Sequence, residues 1–519
     1  MSEHVTDEHH PPPDEESRST PTGRVGTSTV WNVLQYGGSK LVTFVSTVVL
    51  ARLLAPEAFG LVALALLAIN IFDRLKDLGV GTALVQHSGS WRRIAPTGAT
   101  LTLVLALGFG LLCLVTAPWL AALLGNDALV PLIQALSVSM LLQGLAVFPD
   151  AALRRHLAFK ERTLPELGGA VVKAIVSIGM ALAGAGAWSL VWGQVAATAT
   201  MAVLYWLVYL HLTGRARVPG AEPTASPLAE PADRHLGWDR PVAGELLRFG
   251  GSLSLLALLA LVIDNLDYFS IGRRLGETEL GYYTMAFRLP ELVVIGVCIV
   301  IGQVLFSSFS RLQDDRDALR EHYLRAIAAV ATLTVPAGLG LAAAAGPVVD
   351  TVFGEQYAPS EPILVVLGCY SAVYALGFHS GEVYKATGHA GLLNRLAIAQ
   401  VAVFAPVLWL AAGRSTLAVA VAFLACHVAF TLLRFVVTDR VIGIPLGAQL
   451  RAVAPATVSA LVMAGAVTLV DQLVPLQQPF VLLVLEVLVG AVVYVGALAV
   501  LDRQALPRVT RMLRPGGAS

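Results

Sequence analysis

The chain has 519 residues, of which 56% are hydrophobic and only 13% charged, and its mean hydropathy is +0.72. That charged share is about half of what a soluble domain carries, too little to cover a water-exposed surface of this size. Lys plus Arg and Asp plus Glu both total 35, so the balanced charge leaves no basic footprint for a nucleic acid.

Residues 1–27 are polar, acidic and rich in Pro, Ser and Thr, a composition that predicts a disordered cytoplasmic tail rather than a signal peptide. Apolar runs of roughly 20 residues follow, each long enough to cross a bilayer. Fourteen are expected: 30–51, 59–83, 97–124, 129–149, 164–186, 188–212, 246–271, 280–305, 323–346, 361–384, 391–412, 415–437, 451–470 and 479–501. Only helices satisfy their backbones over so many spans. The predicted fold class is an all-α membrane protein with about fourteen transmembrane helices. It is organised as two parallel-repeat six-helix lobes plus two C-terminal helices.

The cations set the orientation. With the N-terminus cytoplasmic, 25 of the 35 Lys and Arg fall on inner segments, and Arg52, Arg273, Arg274 and Arg414 fall outside. The asymmetry places both termini inside a plasma membrane. A Pro-rich charged stretch after the sixth span reads as a cytoplasmic linker. The expected divisions are the tail 1–27, an N-lobe 28–213, the linker 214–244, a C-lobe 245–438, the last two spans 439–501 and a basic tail 502–519. Cys113, Cys298, Cys369 and Cys426 lie singly in apolar runs, which argues against disulfides and zinc.

The two lobes carry a repeat. Leu34-Gln-Tyr-Gly-Gly-Ser39 opens the first span and Leu247-Arg-Phe-Gly-Gly-Ser252 the seventh. ARLLAPEAFGLVALA (51–65) aligns with GRRLGETELGYYTMA (272–286), which pairs Arg52 with Arg273, Leu54 with Leu275, Gly60 with Gly281 and Ala65 with Ala286. Six spans per copy give both copies one orientation, a plan that transporters use with the site between lobes.

The segments VLARLLAPEAFGLVALALLAINIFDRLKDLGVGTALVQ (49–86) and DNLDYFSIGRRLGETELGYYTMAFRLPE (264–291) resemble the Wzx-type oligosaccharide flippases. Those form a branch of the multidrug/oligosaccharidyl-lipid/polysaccharide exporter superfamily, and the likeness is to its colanic-acid-exporter-like group, over roughly 28–440. The resemblance implies two six-helix lobes, a V-shaped cavity and alternating access. It implies a polyprenyl-diphosphate-linked oligosaccharide moved from inner to outer leaflet for exopolysaccharide or envelope glycan assembly. Expected partners are that substrate, membrane lipid, and polysaccharide polymerase and assembly proteins; nucleic acid, cofactor and metal are not expected.

Ionisable residues within spans are costly, roughly 2.5–3.5 kcal/mol each, and so draw functional readings. A diphosphate needs cations, with Arg as a bidentate donor and Lys as a point charge. Lys40, Lys173 and Arg288 are the expected cavity cations, and Lys40 can instead pair with a carboxylate within the bundle. Lys173 shares a helix face with Glu166, and Arg288 is three residues from Glu291, so each can instead form a structural ion pair. Arg52, Arg273 and Arg274 read either as an outer exit site or as interfacial anchors. Asp73, Arg74, Lys76 and Asp77 read either as a self-neutralised helix end or as an inner gate. Asp264, Asp267 and Glu291 are carboxylates that can serve gating or ion coupling. His379 and Glu382 read as solvated helix-end residues, and Glu486, in a peripheral span, as a partner contact or as a lipid-facing group at a protonation cost. No phosphate-binding loop, zincin helix or serine elbow is present, so no enzyme site is expected. Two rivals stay open: a cation-coupled multidrug exporter, which prefers an anionic cavity, and a non-transporting scaffold for polysaccharide assembly.

Overall fold

A computed structural model describes residues 22–77, 79–86, 91–156, 158–216, 236–474, 478–503, 505 and 507; of 22–36 and 249–257 it describes only the backbone. Most of the two expected tails and of the linker, and the Asp77 side chain, lie outside the described residues. Among the described residues all regular structure is helical. Each of the fourteen expected spans falls on a helix or a broken helix, and twelve helical stretches are long and apolar enough to cross a membrane.

The N-terminal half runs α1 (Thr22–Leu53), α2 (Pro56–Asp77), α3 (Val80–Gln86), α4 (Trp91–Leu124), α5 (Leu129–Arg155), α6 (Phe159–Leu182) and α7 (Ala187–Ala216). The expected second span is broken between α2 and α3, where Gly79 takes φ +66°, a conformation that costs a side-chain-bearing residue energy. The C-terminal half begins with α8 (Arg240–Ile263) and α9 (Leu266–Leu275), followed by α10 (Glu277–Pro290) and α11 (Gly296–Arg311). A π-helical turn, Glu291–Ile295, joins the last two, and there the Gly296 amide donates to the Glu291 carbonyl. Pro290, which has no amide hydrogen, stands just before it. Next come α12 (Arg316–Ala343), α13 (Ala345–Val352), α14 (Glu361–Phe378) and α15 (Ser380–Ala386), then α16 (Ala390–Ala411), α17 (Thr416–Ile442), α18 (Leu446–Leu473) and α19 (Pro479–Leu501).

Fourteen alternating passes put the start of α1 and the end of α19 on one face, here the terminal face; the other is the far face. Within the N-terminal half α1 packs on α6, α6 on α7, α5 on α4 and α7, and α2 on α4 and α5. Within the C-terminal half α12 packs on α14 and α18, α14 on α17, and α18 on α19. Lipid offers no hydrophobic drive between helices, so close approach of backbones carries the packing. Where α12 crosses α14, a Cβ added at Gly338 would lie 2.8 Å from the Gly368 carbonyl, and one at Gly368 2.7 Å from that of Gly338. Leu111, Val115, Trp119 and Leu123 form an exposed stripe along α4, which suits a lipid-facing surface.

The halves meet most extensively where α2 packs on α10. That contact is reciprocal. A Cβ at Gly60 would stand 1.7 Å from the Glu277 carbonyl oxygen, and one at Gly281 2.0 Å from that of Pro56. Glu277 opens α10 as Pro56 opens α2, at the same offset that relates Gly281 to Gly60.

Candidate functional site

Three cations expected from the sequence come together between the halves. Lys40 Nζ of α1 lies 3.8 Å from Glu291 Oε1 at the start of the π-helical turn. Arg288 Nη1 lies 3.2 Å from Glu291 Oε2. Lys173 of α6 donates to Gln194 Oε1 of α7 at 2.7 Å, and the charges of Arg288 and Lys40 bear on it. At a rise of about 1.5 Å per residue, Lys40 is roughly 20 Å from the far-face end of α1, Glu291 roughly 21 Å from that of α10, and Lys173 roughly 14 Å from that of α6. These are mid-bilayer depths in a hydrocarbon core of about 30 Å. Yet the side chains of Lys40 and Arg288 are 43% exposed and that of Glu291 38%. Charges that open at that depth, bridging two helix bundles, line a space between the bundles rather than a dry core. Among the described residues two cations meet one carboxylate there, with Lys173 within electrostatic reach of both cations, which makes the site electropositive.

A second group sits where α8 gives way to α9. Sequence spacing put Asp264 and Asp267 on one helix; the break at Asp264 and Asn265 separates them. Asp267 is buried, accepting from the Tyr283 hydroxyl at 2.6 Å and from the Tyr268 amide at 2.9 Å. Its acceptors are committed inside the C-terminal half. Asp264 is exposed, within electrostatic reach of Arg74 from the other half and of Arg434 on α17.

The expected inner-gate cluster divides. Lys76 is buried within the N-terminal half, donating to Asp73 at 2.6 Å and to Gln143 at 2.8 Å, while Arg74 is exposed. Glu166 does not pair with Lys173: it accepts from the Tyr205 hydroxyl at 2.8 Å and lies 3.9 Å from Arg162, which is held by Asp150 at 2.7 Å.

At the far face Arg52 donates to the Thr351 carbonyl of the opposite half. Its repeat mate Arg273 reaches the opposite way, against Gly125 in the turn after α4. Gln356 donates to Ala51, the Tyr357 hydroxyl to Leu54, and Asn126 to Glu277 at 3.2 Å. Arg274 stays within its own half, donating to the Trp409 carbonyl and lying 5.0 Å from that ring. The far face is thus latched shut.

His379, at the break between α14 and α15, is fully buried, and Glu382 is buried beside Lys385 at 2.9 Å, so neither is the solvated helix-end residue expected. Glu486 is buried too, not lipid-facing. Sequence reasoning passed over Gln194, Gln356 and Arg434. Arg434 carried a signal, as an arginine deep in an apolar span; the two glutamines carried none beyond polarity.

The family described as Polysaccharide biosynthesis protein matches residues 49–222 and 225–362, more than half of the chain. The chain belongs to that family. Among similar proteins, the Lipopolysaccharide biosynthesis protein WzxC of Escherichia coli (strain K12) is 24% identical over 406 residues, 77% of this chain and 78% of that one. The Succinoglycan biosynthesis transport protein ExoT of Rhizobium meliloti (strain 1021) is 28% identical over 342 residues, 65% of this chain and 64% of that one. Among solved structures, a Lipid II flippase MurJ in an inward closed conformation superposes with a TM-score of 0.69 at 13% identity, over 92% of this chain and 100% of that one. An inward-facing MATE family multidrug transporter of the MOP superfamily does so with a TM-score of 0.60 at 15% identity, covering 78% of this chain and 94% of that one. The fold of this polysaccharide biosynthesis family member is therefore the multi-pass helical fold shared by those transporters.

Proposed function

We propose that this chain flips a polyprenyl-diphosphate-linked oligosaccharide from the inner to the outer leaflet by alternating access of two lobes, 28–213 and 245–438. The linker 214–244 joins them on the cytoplasmic side, the helices of 439–501 are appended, and the tails 1–27 and 502–519 are cytoplasmic. Membrane lipid and polysaccharide polymerase and assembly proteins are its partners. One observation carries the reading: Lys40 and Arg288, both half-open, meet at Glu291 between the halves at mid-bilayer depth, with Lys173 within electrostatic reach of both cations. An ion moved bare into hydrocarbon faces a penalty on the order of 20 kcal/mol. Cations held in a wet cleft replace the lost hydration and cost little reorganisation. Arg288 grips a phosphate oxygen pair, and the two lysines add point charge. The far-face latch of Arg52 and Arg273 breaks on release. Arg74 and Asp264, within electrostatic reach of each other from opposite halves, serve gating or ion coupling. A cation-coupled drug exporter would want the opposite charge in the cleft.

The test is made in the source cell after removal of this protein, by quantifying lipid-linked oligosaccharide and its leaflet position. Cytoplasmic-face accumulation that the intact protein reverses and Lys40→Ala does not is the expected result. Unchanged lipid-linked glycan with increased drug sensitivity would move the assignment to multidrug export.

A further inference from the structure

The Lys40–Glu291–Arg288 contact differs from the other intramembrane ion pairs. Lys76 and Asp73 make a tight pair at 2.6 Å around a lysine 5% exposed, within one half. Arg162 and Asp150 do the same at 2.7 Å. In those pairs the contact is tight and the cation is shielded, as low dielectric demands. Glu291 is held loosely. Its partners stand at 3.8 and 3.2 Å, all three side chains remain open, and it is one carboxylate shared by two cations. It also bridges the two halves at mid-depth, from α1 to the C-terminal half. Finally, it opens the π-helical turn after Pro290, where α-helical hydrogen bonding is interrupted. Such turns recur where a helix has a functional task.

We propose that Glu291 is a stand-in for the substrate's diphosphate. In the empty transporter its carboxylate occupies Lys40 and Arg288 and ties α1 to α10. An arriving diphosphate carries more negative charge and more acceptor oxygens, so it displaces the carboxylate from both cations. Displacement cuts the Lys40–Glu291 tie, and substrate occupancy thereby loosens one half from the other at mid-depth. The cations are kept partly neutralised while the site is empty, and the lobes are freed only when cargo is present. Glu291 is thus a positioning and coupling residue, and the argument rests on the diphosphate reading given above.

The experiment uses the full chain in lipid nanodiscs, with farnesyl diphosphate as probe and farnesol as the uncharged control. Spin labels at the exposed terminal-face positions Gln86 and Gln313 report the separation of the halves. Glu291→Gln should bind farnesyl diphosphate about tenfold more tightly, because a competing charge at contact distance is gone. Without ligand, its label distance should match that of the ligand-bound native protein. Glu291→Asp, which keeps the charge, should stay within about threefold of native affinity. Glu291→Ala is a second neutral variant should the Gln form fail to fold, with gel filtration and thermal melting as the check. Unchanged or weaker binding by the folded neutral variants would overturn displacement, while a loss of binding in Lys40→Ala would leave the diphosphate reading standing. Tighter binding with an unmoved label distance would also overturn it, reducing Glu291 to a background charge. No binding by the native protein would remove the diphosphate reading itself and this inference with it.

Discussion

The α2–α10 crossing at the far face and the Lys40–Glu291 contact at mid-depth join the same two halves of the chain by opposite means. At the crossing two glycines let backbone lie against backbone, and carbonyl oxygens occupy the space of any Cβ. Around it the bonds of Arg52, Gln356, Tyr357 and Asn126 satisfy ends of helices. At mid-depth the tie is made by the long side chain of Lys40, which reaches Glu291 of the other half and holds it by charge. Steric closure is short-ranged and intolerant of added volume. Electrostatic closure is longer-ranged and can be exchanged for a better anion. A transporter of a charged headgroup needs both, one to seal against leakage and one to yield to cargo.

The largest effect should come from adding a methyl group to the seal. In Gly60→Ala the new Cβ would stand 1.7 Å from a backbone oxygen, and no side-chain rotation relieves that. The two halves must then part at the far face. A cysteine pair replacing Asn126 and Glu277, whose side-chain ends meet at 3.2 Å, reports closure through its oxidative cross-link. The yield should fall more than tenfold in Gly60→Ala, and Gly281→Ala should match it because the contact is reciprocal. Full cross-linking in either variant would break the contrast, since the seal would then tolerate volume.

In the sequence the glycines of this seal showed only as matching repeat positions, and the structure supplies the steric reason for the match. A position that forbids a Cβ keeps its glycine in both copies of a repeat, so Gly60 and Gly281 aligned along with Arg52 and Arg273. The mid-depth cations were legible because charge is expensive in a bilayer and stands out against apolar neighbours. Their partners were not. Spacing along one helix offered Glu166 to Lys173, but Tyr205 of α7 and Arg162, one turn earlier on α6, take Glu166, and Gln194 of α7 serves the lysine. Asp264 and Asp267 sat at helical spacing, yet the chain breaks at Asn265 and sends one into the core and the other toward Arg74. Pairings across helices depend on rotation and depth, which highly apolar helices leave unmarked in sequence. The π-helical turn at Glu291 was not anticipated; Pro290, which has no amide hydrogen, stands just before it.

Ionic strength should separate the two contacts next. Screening shortens from about 10 Å at 0.1 M salt to about 3 Å at 1 M. Farnesyl diphosphate binding should weaken about tenfold over that range, less than a fully exposed site would, because the cations are only half open. The far-face cross-link should change less than about twofold. Equal sensitivity would mean that charge also holds the far face.

The smallest effect should come from Arg52→Gln, which sharpens the comparison from within the seal. Arg52 is the charged member of an otherwise backbone-and-amide contact, and its guanidinium donates to the Thr351 carbonyl from an exposed position. A charge-assisted hydrogen bond discounted for exposure contributes about 1 kcal/mol. Closure at the far face should then drop about fivefold, a factor read from the rate at which the Asn126–Glu277 cysteine pair oxidises. If the arginine is instead a diphosphate exit site, Arg52→Gln would slow transport in cells far more than it loosens the cross-link. If it is only a clasp, the two measurements should fall together, because glutamine can keep a donor near the same carbonyl but cannot grip a phosphate.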